Sequence, residues 1–128
     1  MRGLVFFAAL LCLAGCATAP EKISPAGVSD ATYNPWTCEQ LNQEQARLHG
    51  ALTTAYETQR DCRSKDAAGV FWLGFPVSGF SGCDKEPEIA RLKGELQAVQ
   101  RSAVSKNCTI TLLPLDPPSK SGSGQSGQ

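Results

Sequence analysis

Cysteine is the residue type with the greatest chemical scope in this chain, and its spacing defines two groups. Cys12 and Cys16 lie four positions apart at the end of an apolar run near the N-terminus. The other four are spread through the rest of the chain, at Cys38, Cys62, Cys83 and Cys108. Cysteines act as redox couples, metal ligands, disulfide partners or lipid attachment points. The sequence around each group decides between these chemistries.

The first group follows the layout of a secretory signal peptide. Arg2 supplies a positive charge, residues 4–13 are apolar and residues 14–18 are mostly small. A bilayer-spanning helix needs about 20 apolar residues, roughly twice the length of this run. The pattern therefore predicts a signal peptide at residues 1–15, which removes Cys12 from the mature protein.

Four residues at the end of this segment, Leu13, Ala14, Gly15 and Cys16, resemble the lipobox of bacterial lipoproteins. In that family the thiol receives a diacylglyceryl group, cleavage occurs before the cysteine, and the new N-terminus is acylated. The resemblance implies lipid attachment, including palmitate, at Cys16. Because Ala17 and not aspartate follows, it also implies sorting to the outer membrane, with the chain facing the periplasm. An ordinary signal peptide with a chance cysteine is the alternative.

The remaining cysteines are even in number and would lie in an oxidising compartment, where disulfides persist. A zinc site is the competing interpretation. No C-x-x-C spacing is present, and His49 is the only histidine. We therefore expect two disulfides, no metal and no cofactor.

Two segments carry the heptad-like spacing of amphipathic helices. The first is predicted at residues 37–66, with Thr37 and Gln40 forming a capping box. The second is predicted at residues 85–106, with Asp84 as N-cap, Pro87 in the first turn and Asn107 at the end. In each helix the residues that recur every three or four positions form a stripe along one face. The stripe of the first helix consists of Cys38, Leu41, Gln45, Leu48, Leu52, Ala55, Gln59 and Cys62. The stripe of the second helix consists of Ile89, Leu92, Leu96, Val99 and Ala103.

The two stripes can bury one another in an antiparallel hairpin. In such a hairpin the residue numbers of any two facing residues add up to about the same value. Cys38 with Cys108, and Cys62 with Cys83, have sums that differ by one, so both pairs fit one register. The crossed pairing fits no single register. Joining Cys38 to Cys62 would span about 36 Å of helix, whereas disulfide Cα atoms lie at most about 7 Å apart. The nested pairing is therefore predicted.

These features predict an all-α, coiled-coil-like hairpin at residues 36–108 with two nested disulfides. Residues 16–35 have no periodicity and are predicted to be a flexible lipidated tether. Residues 109–128 are rich in proline, glycine and serine and are predicted to be a disordered tail, although Thr109 to Leu113 could extend against the hairpin.

The predicted connection between the helices, residues 67–84, is an irregular loop that is longer and more apolar than a hairpin turn requires. Its candidate interaction residues are Phe71, Trp72, Leu73, Phe75 and Phe80. In one interpretation these side chains fold back and cap the hairpin core. In the other they form an exposed patch that contacts a protein partner, a second copy of the chain or a membrane interface.

A second resemblance covers residues 38–108. The segments LGFPVSGFSG at 73–82 and EIARLKGEL at 88–96 are similar to those of a group of small bacterial lipoproteins with no assigned activity. The likeness supports the architecture and implies no particular chemistry.

Catalytic motifs are absent from the sequence, and its charges balance at twelve basic and twelve acidic residues. Nucleic acid is therefore not an expected partner. A weak cation site between Asp66 and Asp84 is a minor alternative. The expected function is that of a non-catalytic, lipid-anchored envelope protein, acting as a structural or interaction module through its tip. A membrane-active module, or an inhibitor of an envelope enzyme, is the alternative.

Overall fold

The computed structural model describes residues 17–75 and 82–118. Within them the chain forms two α-helices, α1 at Cys38–Leu73 and α2 at Glu86–Ser105. Two short 3₁₀ turns, Pro20–Lys22 and Asp30–Tyr33, precede the helices, and no strand occurs in these ranges. A disulfide joins the helical regions at each end, so α1 and α2 run antiparallel. The predicted all-α hairpin is confirmed.

The start of α1 is set by the predicted capping box. Thr37 Oγ1 accepts a hydrogen bond from the Gln40 N–H at 3.2 Å, and Gln40 Oε1 accepts one from the Thr37 N–H at 2.8 Å. Two N–H groups that the first turn would leave unsatisfied are thereby paired. The cap fixes the helix start immediately before Cys38.

The end of α1 lies seven residues beyond the predicted one, so the prediction of an irregular loop from residue 67 was wrong for residues 67–73. Gly69 has the lowest helix propensity in this stretch, and one interior glycine costs only about 1 kcal/mol relative to alanine. The chain leaves the helix at Gly74, whose φ of 80° is left-handed and whose N–H donates to the Val70 carbonyl.

The limits of α2 are close to the predicted ones. Pro87 lies in the first turn, but the N-cap is Lys85 and not the predicted Asp84, whose Oδ1 accepts a hydrogen bond from the Glu86 N–H at 3.0 Å. At the other end Asn107 has a left-handed φ of 56°, and the Cys108 N–H donates to the Ala103 carbonyl at 2.9 Å. Asparagine tolerates this conformation better than most residues. The predicted stop at Asn107 is confirmed.

The core is formed by the two predicted stripes. Their apolar members from Leu41 to Ala55 in α1 and from Ile89 to Ala103 in α2 are buried. Both predicted disulfides are present, with Cα–Cα distances of 5.4 Å for Cys38–Cys108 and 5.6 Å for Cys62–Cys83. The helix register predicted from the residue numbers of the cysteines is therefore correct.

The core also contains residues from outside the hairpin, which corrects the prediction of a flexible tether for residues 17–35. Ile23 and Tyr33 are buried in the same cluster as the helix stripes. The Ala26 N–H donates to the Ala90 carbonyl at 2.7 Å, and Gly94 leaves room for the Ala26 carbonyl to approach α2. The segment 17–35 is thus a third layer packed on the hairpin.

Side chains of α2 satisfy the backbone of this irregular segment. Lys93 Nζ donates to the carbonyls of Pro20 and Ile23, and Arg101 donates to the carbonyl of Val28. Ser102 Oγ donates to the Asp30 carbonyl. A segment without regular structure can be buried only if its polar groups find such partners. These bonds explain how it packs without forming a helix or strand.

Residues 109–118 also lie against the hairpin, so the predicted disordered tail does not begin at residue 109. Gln45 donates to the Thr111 carbonyl and accepts from the Leu113 N–H. Gln100 Nε2 donates to the Leu113 carbonyl, and Pro117 is buried. The rest of the predicted tail, 119–128, lies outside the described residues.

Candidate interaction site at the tip of the hairpin

The last turn of α1 presents large apolar side chains to solvent. Phe71 is 79 % exposed, Trp72 80 % and Leu73 61 %, and Phe75 just after the helix is 48 % exposed. We call these four residues the aromatic tip. They do not fold back onto the core, so the capping interpretation is wrong for them. Phe80, the fifth candidate from the sequence, lies outside the described residues.

The helical conformation explains this exposure. A helix that continues past the end of its partner carries its side chains away from the core, whereas an irregular loop could have turned them inward. The Phe71 and Trp72 rings contact one another edge to face, with centroids 5.2 Å apart. The two rings form one continuous apolar surface.

Gln59, twelve residues before Phe71 on α1, connects three parts of the chain. Its side chain is fully buried, and Nε2 donates to the Thr18 carbonyl at 3.0 Å and to Asp84 Oδ1 at 2.9 Å. Its Oε1 accepts from the Lys85 N–H. Together with the Cys62–Cys83 bridge one turn further along α1, this network holds the start of α2 and the N-terminal segment against α1. The tip therefore extends from a braced end of the hairpin.

Asp66 provides a second link to the N-terminal segment. Its side chain is 1 % exposed, and Oδ2 accepts a hydrogen bond from the Ala17 N–H at 3.1 Å. Thr18 Oγ1 donates to Glu86 at 2.7 Å. Residues 17 and 18 are thereby attached to both helices at the tip end. Cys16, the candidate lipid attachment residue, is not among the described residues.

The proposed cation site between Asp66 and Asp84 is not supported by these contacts. Asp66 accepts a bond from the Ala17 N–H, and Asp84 accepts bonds from Gln59 and from the Glu86 N–H. In the described parts of the chain no group of three or more histidine, cysteine, aspartate or glutamate side chains could hold a metal ion.

A polar cluster midway along the hairpin, in which Lys93 is buried and Asp116 is half exposed, was not predicted from the sequence. Lys93 Nζ lies 2.8 Å from Asp116 Oδ1 and 5.3 Å from the centre of the Tyr56 ring. The Tyr56 hydroxyl donates a hydrogen bond to Asp116. Burial and the Asp116 carboxylate raise the pKa of Tyr56 above its ordinary value. Burial acts to raise the pKa of Asp116, but hydrogen bonds from Lys93 and Tyr56 leave it below its ordinary value.

The sequence did contain one signal for this cluster. Lys93 lies four residues after Ile89 and three before Leu96, which places it on the apolar face of α2. A lysine at such a position needs an internal partner, because burial of an unpaired charge is costly. The partners come from residues 17–35 and 109–118, which have no periodic pattern to indicate their packing.

The other exposed large hydrophobic residues of the described chain are Val70, Val104 and Leu112. Val70 adjoins the aromatic tip, whereas Val104 and Leu112 line a shallow groove between α2 and residues 109–118. That groove lies toward the Cys38–Cys108 end. Among the described residues, the exposed aromatic side chains are thus concentrated at one end of the hairpin.

No protein-family model, curated protein or solved structure matches this chain. Neither helix of the described ranges is long and apolar enough to cross a membrane. The fold and site define a disulfide-bridged helical hairpin with an exposed aromatic end. The lipobox and the likeness to small lipoproteins stay predictions.

Proposed function

We propose that this protein is a non-catalytic, lipid-anchored component of the cell envelope. In this proposal Cys16 carries the lipid at the outer membrane, the chain faces the periplasm, and the aromatic tip is its contact surface. The observation that carries the proposal is the exposure of Phe71, Trp72 and Leu73 at the end of a braced hairpin. Exposed apolar surface of this kind is usually an interaction surface.

The use of the buried polar side chains supports a structural role. Gln45, Gln59 and Lys93 bond to backbone groups of the N- and C-terminal segments or of the α2 start. Asp66 and Ser102 do the same. Side chains committed in this way hold segments together, which favours an interaction module over an enzyme.

The anchor is tested by expressing the full chain in a Gram-negative bacterium and measuring the mass of its mature N-terminal peptide. We expect a triacylated Cys16 and recovery of the protein with the outer membrane. Cys16→Ser is expected to abolish both, whereas the matched Cys12→Ser variant should keep them, because Cys12 would leave with the signal peptide. An unmodified Cys16 in the mature wild-type protein would contradict the anchor.

The contact surface is tested by placing a photocrosslinking amino acid at residue 73 or residue 104 of the full chain in cells. Leu73 and Val104 are each 61 % exposed, so the two positions are matched in accessibility. We expect a discrete product, with lipid or with one protein, from position 73 alone. Equal or absent labelling at the two positions would contradict a specific role of the tip.

The alternative function, a membrane-active module, is favoured by one further observation. Ala17, which directly follows the candidate lipid attachment residue, donates a hydrogen bond to Asp66 at the tip end of the hairpin. A lipid on Cys16 would therefore bring this end of the hairpin, with its aromatic tip, toward the membrane.

A further inference from the structure

The first described residues of the N-terminal segment, Ala17 and Thr18, are held against the hairpin by hydrogen bonds. The Ala17 N–H donates to Asp66 at 3.1 Å, and the next residue bonds through both its backbone and its side chain. Thr18 O accepts from Gln59, which belongs to α1, and Thr18 Oγ1 donates to Glu86, which belongs to α2. The position of Ala17 relative to the hairpin is therefore fixed.

This position limits where an acyl group on Cys16 can leave the protein. Consecutive Cα atoms are about 3.8 Å apart, so an acyl group on the residue that precedes Ala17 would leave the protein close to the tip end of the hairpin. Trp72 lies six residues beyond Asp66 on α1, a rise of about 9 Å along the helix. That rise is similar to the depth of about 5 to 10 Å at which amphipathic segments enter a membrane interface.

We propose that the aromatic tip lies in the headgroup region of the same bilayer that holds the lipid on Cys16. The hairpin then stands on the membrane with its tip down and its Cys38–Cys108 end facing the aqueous phase. This inference rests on the proposed lipid anchor, and it names the bilayer as the occupant of the contact surface.

The chemistry of the tip fits a lipid interface. Tryptophan is enriched at membrane interfaces, and phenylalanine and leucine contribute apolar area there. The exposed charges at this end are mixed, with Arg63 and Lys65 opposed by Asp84 and Glu86. The contact is therefore apolar in origin, and it should depend little on ionic strength or on anionic lipid.

The two tryptophans provide an internal comparison. Trp72 belongs to the tip, whereas Trp36 precedes α1 and packs against Tyr33. The helix between them has 36 residues, a length of about 54 Å at 1.5 Å per residue. A bilayer contact at the tip thus leaves Trp36 far outside the hydrocarbon.

The experiment uses the full lipidated chain in vesicles of phosphatidylethanolamine and phosphatidylglycerol, with or without lipids brominated on their acyl chains. Trp36→Phe leaves Trp72 as the only tryptophan, and Trp72→Phe leaves Trp36. We expect a blue shift, bromine quenching and protection from acrylamide for Trp72, and none of these for Trp36. Circular dichroism and non-reducing peptide mapping confirm that both variants keep the fold.

The outcomes separate this inference from the anchor proposal. Protein that floats with vesicles and has an acylated Cys16, but whose Trp72 is not quenched by bromine, would overturn the tip contact and leave the anchor standing. Trp72 shielded from acrylamide without bromine quenching would place a protein or a second copy on the tip, and would also overturn it. An unmodified Cys16 would overturn both proposals.

Discussion

Lys93 Nζ and Asp116 Oδ1 lie 2.8 Å apart, although the Lys93 side chain is only 4 % exposed. The same Nζ donates to the carbonyls of Pro20 and Ile23. One ammonium group on α2 therefore joins the segments that precede and follow the hairpin. Because neither segment has regular structure of its own beyond short turns, their attachment depends on such contacts.

We expect Lys93→Met to destabilise the chain by about 2 kcal/mol, because it leaves Asp116 and two carbonyls without this donor. The figure lies below that for a fully buried ion pair, since Asp116 is half exposed to solvent. Urea unfolding of the mature chain carrying Cys16→Ser would measure the change. Lys106→Met is the control, since Lys106 is exposed and should shift stability by less than about 0.5 kcal/mol. Equal losses from the two variants would contradict the role of Lys93.

A dependence on acid pH follows from the lowered pKa of Asp116. A carboxyl group whose pKa is lower in the folded state stabilises the fold above its unfolded pKa of about 3.9, and this contribution is lost as pH falls through the folded value. The stability difference between wild type and Asp116→Asn should thus be constant near pH 7 and shrink below about pH 4. Urea unfolding across this range checks the prediction. A difference that grows on acidification would contradict it.

The hairpin was predictable because its determinants are local or periodic. The stripe from Leu41 to Ala55, the Thr37 cap and the Asn107 stop each depend on spacing or on a single residue type. The disulfide pairing followed from the same register. Any two-helix hairpin needs apolar residues at helical spacing and residues that start and stop its helices, so these features can be recognised in the sequence alone.

The layers added to the hairpin were not predictable in the same way. Segment 17–35 packs through carbonyls that accept bonds from Lys93 and Arg101, and carbonyls have no sequence signature. The end of α1 was misplaced because the aromatic residues after Gly69 have weak helix propensity and suggest a loop. Phe71 and Trp72 are exposed because α1 continues through them. The sequence therefore identified these candidate residues but did not decide whether they are buried or exposed.

Gly94 is expected to be essential for the approach of the N-terminal segment to α2. A Cβ at this position would lie 2.2 Å from the Ala26 carbonyl oxygen and 2.9 Å from Val28 Cγ2. Gly94→Ala should therefore cost about 2 kcal/mol, in the range found for overpacked sites. It should also speed hydrogen exchange at the Ala26 amide, which bonds to the Ala90 carbonyl.

Gly50→Ala is the matched control for Gly94→Ala. Gly50 is also a helix-interior glycine, but a Cβ there would meet nothing within 4 Å. Its replacement should stabilise the chain by up to about 1 kcal/mol through helix propensity alone. If both alanine variants gained stability, the close contact between Ala26 and α2 would not exist in solution.

The two disulfides should differ in their contribution to stability, because they close loops of different length. Their sequence separations are 70 for Cys38–Cys108 and 21 for Cys62–Cys83. In the chain-entropy model these loops correspond to about 4.4 and 3.3 kcal/mol. Comparing simple cysteine deletions would confuse this effect with packing, since Cys62 is fully buried and Cys38 is exposed.

Reducing a single remaining disulfide avoids that difficulty, because the oxidised and reduced forms share one sequence. The variant with Cys62→Ala and Cys83→Ala reports on the longer loop, and the variant with Cys38→Ala and Cys108→Ala reports on the shorter one. We expect the loss of unfolding free energy on reduction to be about 1 kcal/mol larger for the longer loop. A larger loss for the shorter loop would mean that packing at the tip end, and not restriction of the unfolded chain, is what Cys62–Cys83 contributes.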